Sequence, residues 1–193
     1  MDWKERLKEL DKKKQWDEAI VLMQNVIRAN SQDMDAYISI NFLLMDLLVE
    51  EDCDPSKEQD YQTLLKWYFD ESYAKFSDNA EYLYFTGKTA VMSPWFFGID
   101  ENDYEAMLEQ AHNIEPENVI YKENYYYKLN RINPLDPELI AYAKMVLQPD
   151  SSVKKYLLTK GIIGGYILGM KEGWCECILY AAQLLEKSKI SHN

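Results

Sequence analysis

Apolar residues recur three and four positions apart along almost the whole chain, and no stretch alternates with period two for long enough to carry a sheet. Ala19, Ile20, Met23, Val26 and Ile27 form one such stripe. Tyr61, Leu64, Leu65, Tyr68, Phe69, Ser72 and Phe76 form the clearest one. Read with their punctuation, the stripes predict about ten helices. These span residues 2–14, 16–29, 33–50, 56–76, 80–92, 101–114, 118–131, 137–148, 151–169 and 173–188. Ser31 or Asp33, Asp78 or Asn79, Asp136, and Asp150 or Ser151 are placed as N-caps. Pro55 and Pro137 suit first helical turns, and Met170-Lys171-Glu172 reads as the last turn between helices.

Two hexapeptides echo each other: Gln15-Trp16-Asp17-Glu18-Ala19-Ile20 and Gly173-Trp174-Cys175-Glu176-Cys177-Ile178. A unit recurring near both ends predicts a stack of antiparallel helical hairpins, each covering its neighbour's apolar face. The fold class is therefore all-α, read as a single helical-repeat domain over residues 1–193. One segment stands apart. Ser93-Pro94-Trp95-Phe96-Phe97-Gly98-Ile99-Asp100 places three large aromatics between a Pro and a Gly, which is no polar turn.

The charge is unevenly placed. Of a net −12, residues 31–130 carry 6 basic against 21 acidic side chains, or −15, between flanks of +1 and +2. Such a segment repels nucleic acid and attracts a basic partner. No apolar run approaches the roughly 20 residues of a membrane helix, and Met1–Arg6 is charged rather than apolar. Three cysteines make an odd count, which argues against a disulfide framework. The expectation is a cytoplasmic protein without membrane contact.

The helical pairs resemble tetratricopeptide repeats. Trp3, Leu10, Trp16, Ala19 and Met23 fall where that family has Trp, Tyr, Tyr, Ala and an aromatic, and Tyr37 follows Trp3 by one repeat length of about 34 residues. Asn79-Ala80-Glu81 leads to Gly87 at a small position, and Glu115-Pro116-Glu117-Asn118 resembles a closing turn. Gly165 and Trp174 fit a small and an aromatic position. Ser31 replaces the expected Pro, Leu7 occupies a small site, and about five extra residues sit in the turn bearing Trp95-Phe96-Phe97. The resemblance implies a TPR-like α-solenoid that binds protein in a groove. As a whole, a small acidic helical-repeat chain with the Ser-Pro-Trp-Phe-Phe-Gly insertion resembles immunity proteins of bacterial contact-dependent and polymorphic toxin systems. Those proteins bind and block a toxin domain, often a basic nuclease. No short motif defines that group, so no residue carries over from it.

Candidate chemistry is sparse. Glu109 and His112 have a di-iron spacing, but such sites need two of these motifs, and the other histidine is His192. Cys175 and Cys177 point to different helix faces. Asp100–Glu105 lacks the glycine of a calcium loop. Gly161, Gly164, Gly165 and Gly169 have no strand before them, so they read as a close helix–helix approach rather than a nucleotide site. No catalytic residue, metal site or cofactor is expected, and the chain is read as no enzyme. The expected function is an inhibitor that neutralises a basic toxin domain. Asp70, Glu71, Trp95, Asp100, Glu101, Asp103 and Tyr126 are its expected contacts. The alternative is a general repeat adaptor that binds peptides.

Overall fold

A computed structural model describes residues 2–51 and 54–190. Asp52 and Cys53 of the acidic loop, and His192, lie outside them. The described residues form eleven helices and no strand. They are α1 (Trp3–Lys12), α2 (Trp16–Ala29), α3 (Met34–Val49), α4 (Glu58–Phe76), α5 (Ala80–Ala90), α6 (Pro94–Phe97), α7 (Glu101–Ile114), α8 (Glu123–Ile132), α9 (Pro137–Leu147), α10 (Ser152–Leu158) and α11 (Gly161–Ile190). None is long and apolar enough to cross a membrane.

Side-chain caps explain most of the starts. Asp2, Asp33, Asn79, Asp100 and Asp136 each accept a backbone N–H at the head of α1, α3, α5, α7 and α9. Each satisfies a donor that the first helical turn leaves without a partner. The intervening α2, α4, α6, α8 and α10 have no such cap.

The chain divides into two compact units, Met1–Pro116 with Lys160–Ile163, and Glu117–Thr159 with Gly164–Asn193. In the first, α2 packs between α1 and α3, α3 packs on α4 and α5, and α5 packs on α7. Helices α3 and α5 are buried nearly all round: Ala36 to Met45 are all buried, as are Tyr82 to Gly87. A helix apolar on every side must be covered on every side. Gly87 permits the closest crossing, since a Cβ there would stand 3.0 Å from the Leu108 side chain and 3.3 Å from the Tyr104 carbonyl oxygen of α7.

In the second unit α9 packs on α8 and α10. Here four expectations are corrected. The helix expected from 118 begins at Glu123, because Asn118 organises turns instead: its carbonyl accepts from Tyr121 and Lys122, and its side chain accepts from Ile120. No turn falls at Met170-Lys171-Glu172. The break comes at Thr159-Lys160, where Gly161 takes the left-handed conformation (φ +65°), and α11 then runs unbroken for 30 residues. Consequently Trp16 opens a helix while Trp174 lies inside one, so the two hexapeptides are not equivalent units. Two of the glycines after Gly161 also differ from expectation: a Cβ on Gly165 or Gly169 would meet nothing within 4 Å.

Opposite responses to alanine follow. Gly87→Ala overpacks the α5–α7 crossing and lowers stability by about 1–3 kcal/mol. Gly169→Ala gains helix propensity in open space and raises stability by up to about 1 kcal/mol. Urea unfolding of both variants checks the signs.

Candidate acidic and aromatic surface

The Ser93–Gly98 segment folds as a pinned turn. Pro94 occupies the first position of α6, where its fixed φ suits a helix start. Gly98 closes the helix in the left-handed conformation (φ +69°), with its N–H donating to the Trp95 carbonyl at 3.1 Å and that of Ile99 to Pro94 at 3.2 Å. Phe97 is the pin. It is fully buried and meets Phe69 of α4 edge-on, with ring centroids 5.4 Å apart. Trp95 is left 67% exposed, against Phe96 at 5.7 Å. The three aromatics thus divide into one core residue and one fully presented one, with Phe96 half-buried between them.

The surface beside this turn is charged. The Lys66 stem crosses Gly98 so closely that a Cβ there would stand 2.6 Å from Lys66 Cε. The Lys66 ammonium pairs with exposed Asp70. Asp100 and Asp103 form a capping box, Asp100 accepting from the N–H groups of Asn102 (2.8 Å) and Asp103 (3.2 Å), and Asp103 from that of Asp100 (2.9 Å). Both carboxylates remain exposed, as does Glu101. Glu71 is half-buried instead: one of its oxygens accepts from Tyr37 Oη at 2.8 Å and Lys75 Nζ at 2.7 Å. Burial alone would raise its pKa, but Lys75 and Tyr37 hold it below the ordinary value.

Six of the seven expected contacts therefore lie in the first unit, and the geometry ties Asp70 and Trp95 to neighbouring turns. Tyr126 is corrected. It belongs to the second unit, is buried, and stacks on Tyr142 with ring centroids 4.1 Å apart. Its neighbour Tyr125 is the exposed member of the Tyr125-Tyr126-Tyr127 run. Among the described residues no group of three or more His, Cys, Asp and Glu side chains is placed to hold a metal ion. Two surface clefts of about 280 and 360 Å³ share Asp17 and Glu18, but Asp17 is already bridged to Lys57 and Tyr61.

The sequence matches no family model and no curated protein, and the fold matches no solved structure. Function must be read from the residues themselves.

Two polar clusters escaped the reading by pattern. Asp46 of α3 has its carboxyl pushed up to about 6 by burial first, then by Asp11, Glu51 and Glu50. In the second unit Lys171 is wholly buried, pairing with Glu123 Oε2 at 3.1 Å and donating to Tyr142 Oη at 2.9 Å. Tyr127 donates to the other Glu123 oxygen at 3.3 Å. Cys175, one turn on, has its thiol pushed up to about 12, chiefly by burial. A signal existed: Lys171 stands on the stripe of Ile167, Lys171, Cys175, Ile178 and Ala182, which is the buried face of α11.

Both clusters are testable. Asp46 binds its proton more tightly folded than unfolded, so its contribution is full below about pH 4 and is lost as pH rises through about 6. Asp46→Asn should therefore stabilise the protein at pH 7, by roughly 1 kcal/mol after allowance for solvent screening, and flatten the stability profile between pH 4 and 6. Lys171→Met leaves Glu123 buried without its counter-charge and should cost about 3–5 kcal/mol, whereas adding Glu123→Leu should recover most of the loss. Trp174, which lies 4.2 Å from the Tyr127 ring, reports the second unit by fluorescence.

Proposed function

We propose that this chain is a protein-binding inhibitor whose first unit holds a basic partner through an acidic surface centred on Trp95. A cognate toxin domain, such as a basic nuclease, is the partner that fits best. The observation that carries the reading is the presentation of Trp95: 67% exposed, yet on a turn pinned by Phe97 and Gly98. A large rigid aromatic that loses little freedom on binding is the residue type on which interface energies concentrate. The charge of −15 over residues 31–130 supports a basic partner, because complementary fields steer association. Exposed Asp100, Glu101 and Asp103 follow Trp95 closely in the chain and add to that field, while Asp70 shares its charge with Lys66. The Asx-capped helices at the heads of α1, α3, α5, α7 and α9 support a repeat of hairpins in the tetratricopeptide manner. A cytoplasmic setting accords with free Cys175 and Cys177.

The test is capture of partners from the source cell's lysate at low salt by the wild-type chain and by Trp95→Ala. The expected outcome is one basic protein with a toxin-like domain that co-expression of this chain renders harmless. Trp95→Ala should weaken that complex by roughly 2 kcal/mol, about thirtyfold in Kd, without lowering stability. The association rate should fall by about tenfold or more when ionic strength is raised well above 0.1 M. Retention of acidic proteins only, or a rate constant indifferent to salt, would reject the reading.

A further inference from the structure

One basic side chain of this molecule already sits in an acidic clasp. Lys4, Asp35 and Glu81 are each the second residue of their helices, α1, α3 and α5, and so stand at corresponding places. Asp35 pairs with Lys4. The Lys160 ammonium lies between the two carboxylates, 3.2 Å from Asp35 Oδ1 and in contact with Glu81 Oε1. The charges thus alternate: Lys4, Asp35, Lys160, Glu81. Lys160 comes from 125 residues beyond Asp35 and 79 beyond Glu81, and only 11% of its side chain reaches solvent. Burial alone would raise the Asp35 pKa; Lys4 and Lys160 reverse that and lower it.

The element that delivers Lys160 is a break in the helices. Residues 160–163 group with the first unit, Thr159 caps the end of α10, and Gly161 turns left-handed in open space. Leu158, just before the break, is 61% exposed. Lys160 is rooted in that turn, so its ammonium can leave by side-chain rotation together with a local shift of non-helical backbone.

We propose that Asp35 and Glu81 form a lysine-binding clasp and that Lys160 is its displaceable internal occupant, competing with a lysine of a basic partner. The natural competitor follows from the basic-partner reading above, but the clasp can be tested without it. Lys160 would then set a threshold: a partner must offer more cationic contacts than the single one it displaces.

The experiment is binding of a fluorescently labelled octalysine peptide to the full chain, measured by anisotropy at two ionic strengths. Lys160→Ala should raise affinity about tenfold over wild type, and Glu81→Gln in the Lys160→Ala background should return it to the wild-type level. Lys160→Arg, which keeps the occupant's charge, should behave as wild type. Lys8→Ala, which removes an exposed positive charge one turn along α1 from Lys4, sets the size of a mere net-charge effect. A thermal melt of each variant confirms folding, and Lys160→Gln serves where Lys160→Ala does not fold. The proposal is overturned if removing the Lys160 ammonium leaves affinity unchanged. It is also overturned if the gain equals that of Lys8→Ala, or survives Glu81→Gln, since Lys160 would then be a fixed tie. Failure to find a basic partner in the lysate, with the octalysine result intact, would reject only the inhibitor reading.

Discussion

The first unit depends on a single constraint: Ala36 to Met45 of α3 and Tyr82 to Gly87 of α5 have no side that water can wet. Tyr37, Ile40, Leu43 and Leu44 of α3, and Tyr82, Leu83, Tyr84 and Phe85 of α5, are each at most 1% exposed. Burying each side chain of this size is worth about 1.5–3 kcal/mol, so leaving either helix bare is not an option. The remaining helices are amphipathic covers. α2 contributes Ala19, Ile20, Met23 and Ile27, and α4 contributes Tyr61, Leu65, Tyr68 and Phe69. α7 contributes Met107, Leu108 and Ala111, and Gly87 lets it lie close.

That arrangement also explains why Trp95 stands out. The connection between α5 and α7 carries more aromatic surface than its place in the packing can absorb. Phe97 takes the available site against Phe69, and the φ values of Pro94 and Gly98 settle the remainder of the turn. With Phe97 seated, the helical turn sends Trp95 outward. An exposed tryptophan here follows from the seating of its neighbour, which makes its direction well determined.

Polar interactions work differently in the two units. In the first the ion pairs lie at the margins, Lys160 on Asp35 and Glu81 and Lys75 on Glu71 and Tyr37, while the interior polar groups Asn41, Ser72 and Tyr82 are neutral and hydrogen-bond one another. In the second, the Lys171–Glu123 pair is inside, walled by Tyr127, Tyr142 and Cys175. An internal ion pair adds little net stability, because both ions lose their water. It does penalise any packing of α8, α9 and α11 that leaves either charge unpaired, and so narrows the ways those helices can meet.

Helix type, number to within one, and most caps were legible in the sequence, since a stripe and its cap involve residues a few positions apart. Asp33, Asn79 and Asp136 were readable for that reason. So was the oddity of Trp95-Phe96-Phe97, though not which ring would be buried. The break at Thr159-Lys160 was misplaced because Gly161, Gly165 and Gly169 look alike in a list of residues, and only Gly161 has a positive φ. Tyr126 was misjudged because three consecutive tyrosines must divide between faces, and local periodicity does not say which face Tyr142 covers. The sequence by itself determined an all-helical chain with an acidic middle, because periodicity, capping and charge are local sums. The tertiary structure decided which aromatic is presented and which charges meet, because Lys160 reaches Asp35 and Glu81, and Lys171 reaches Glu123, only after distant helices have packed.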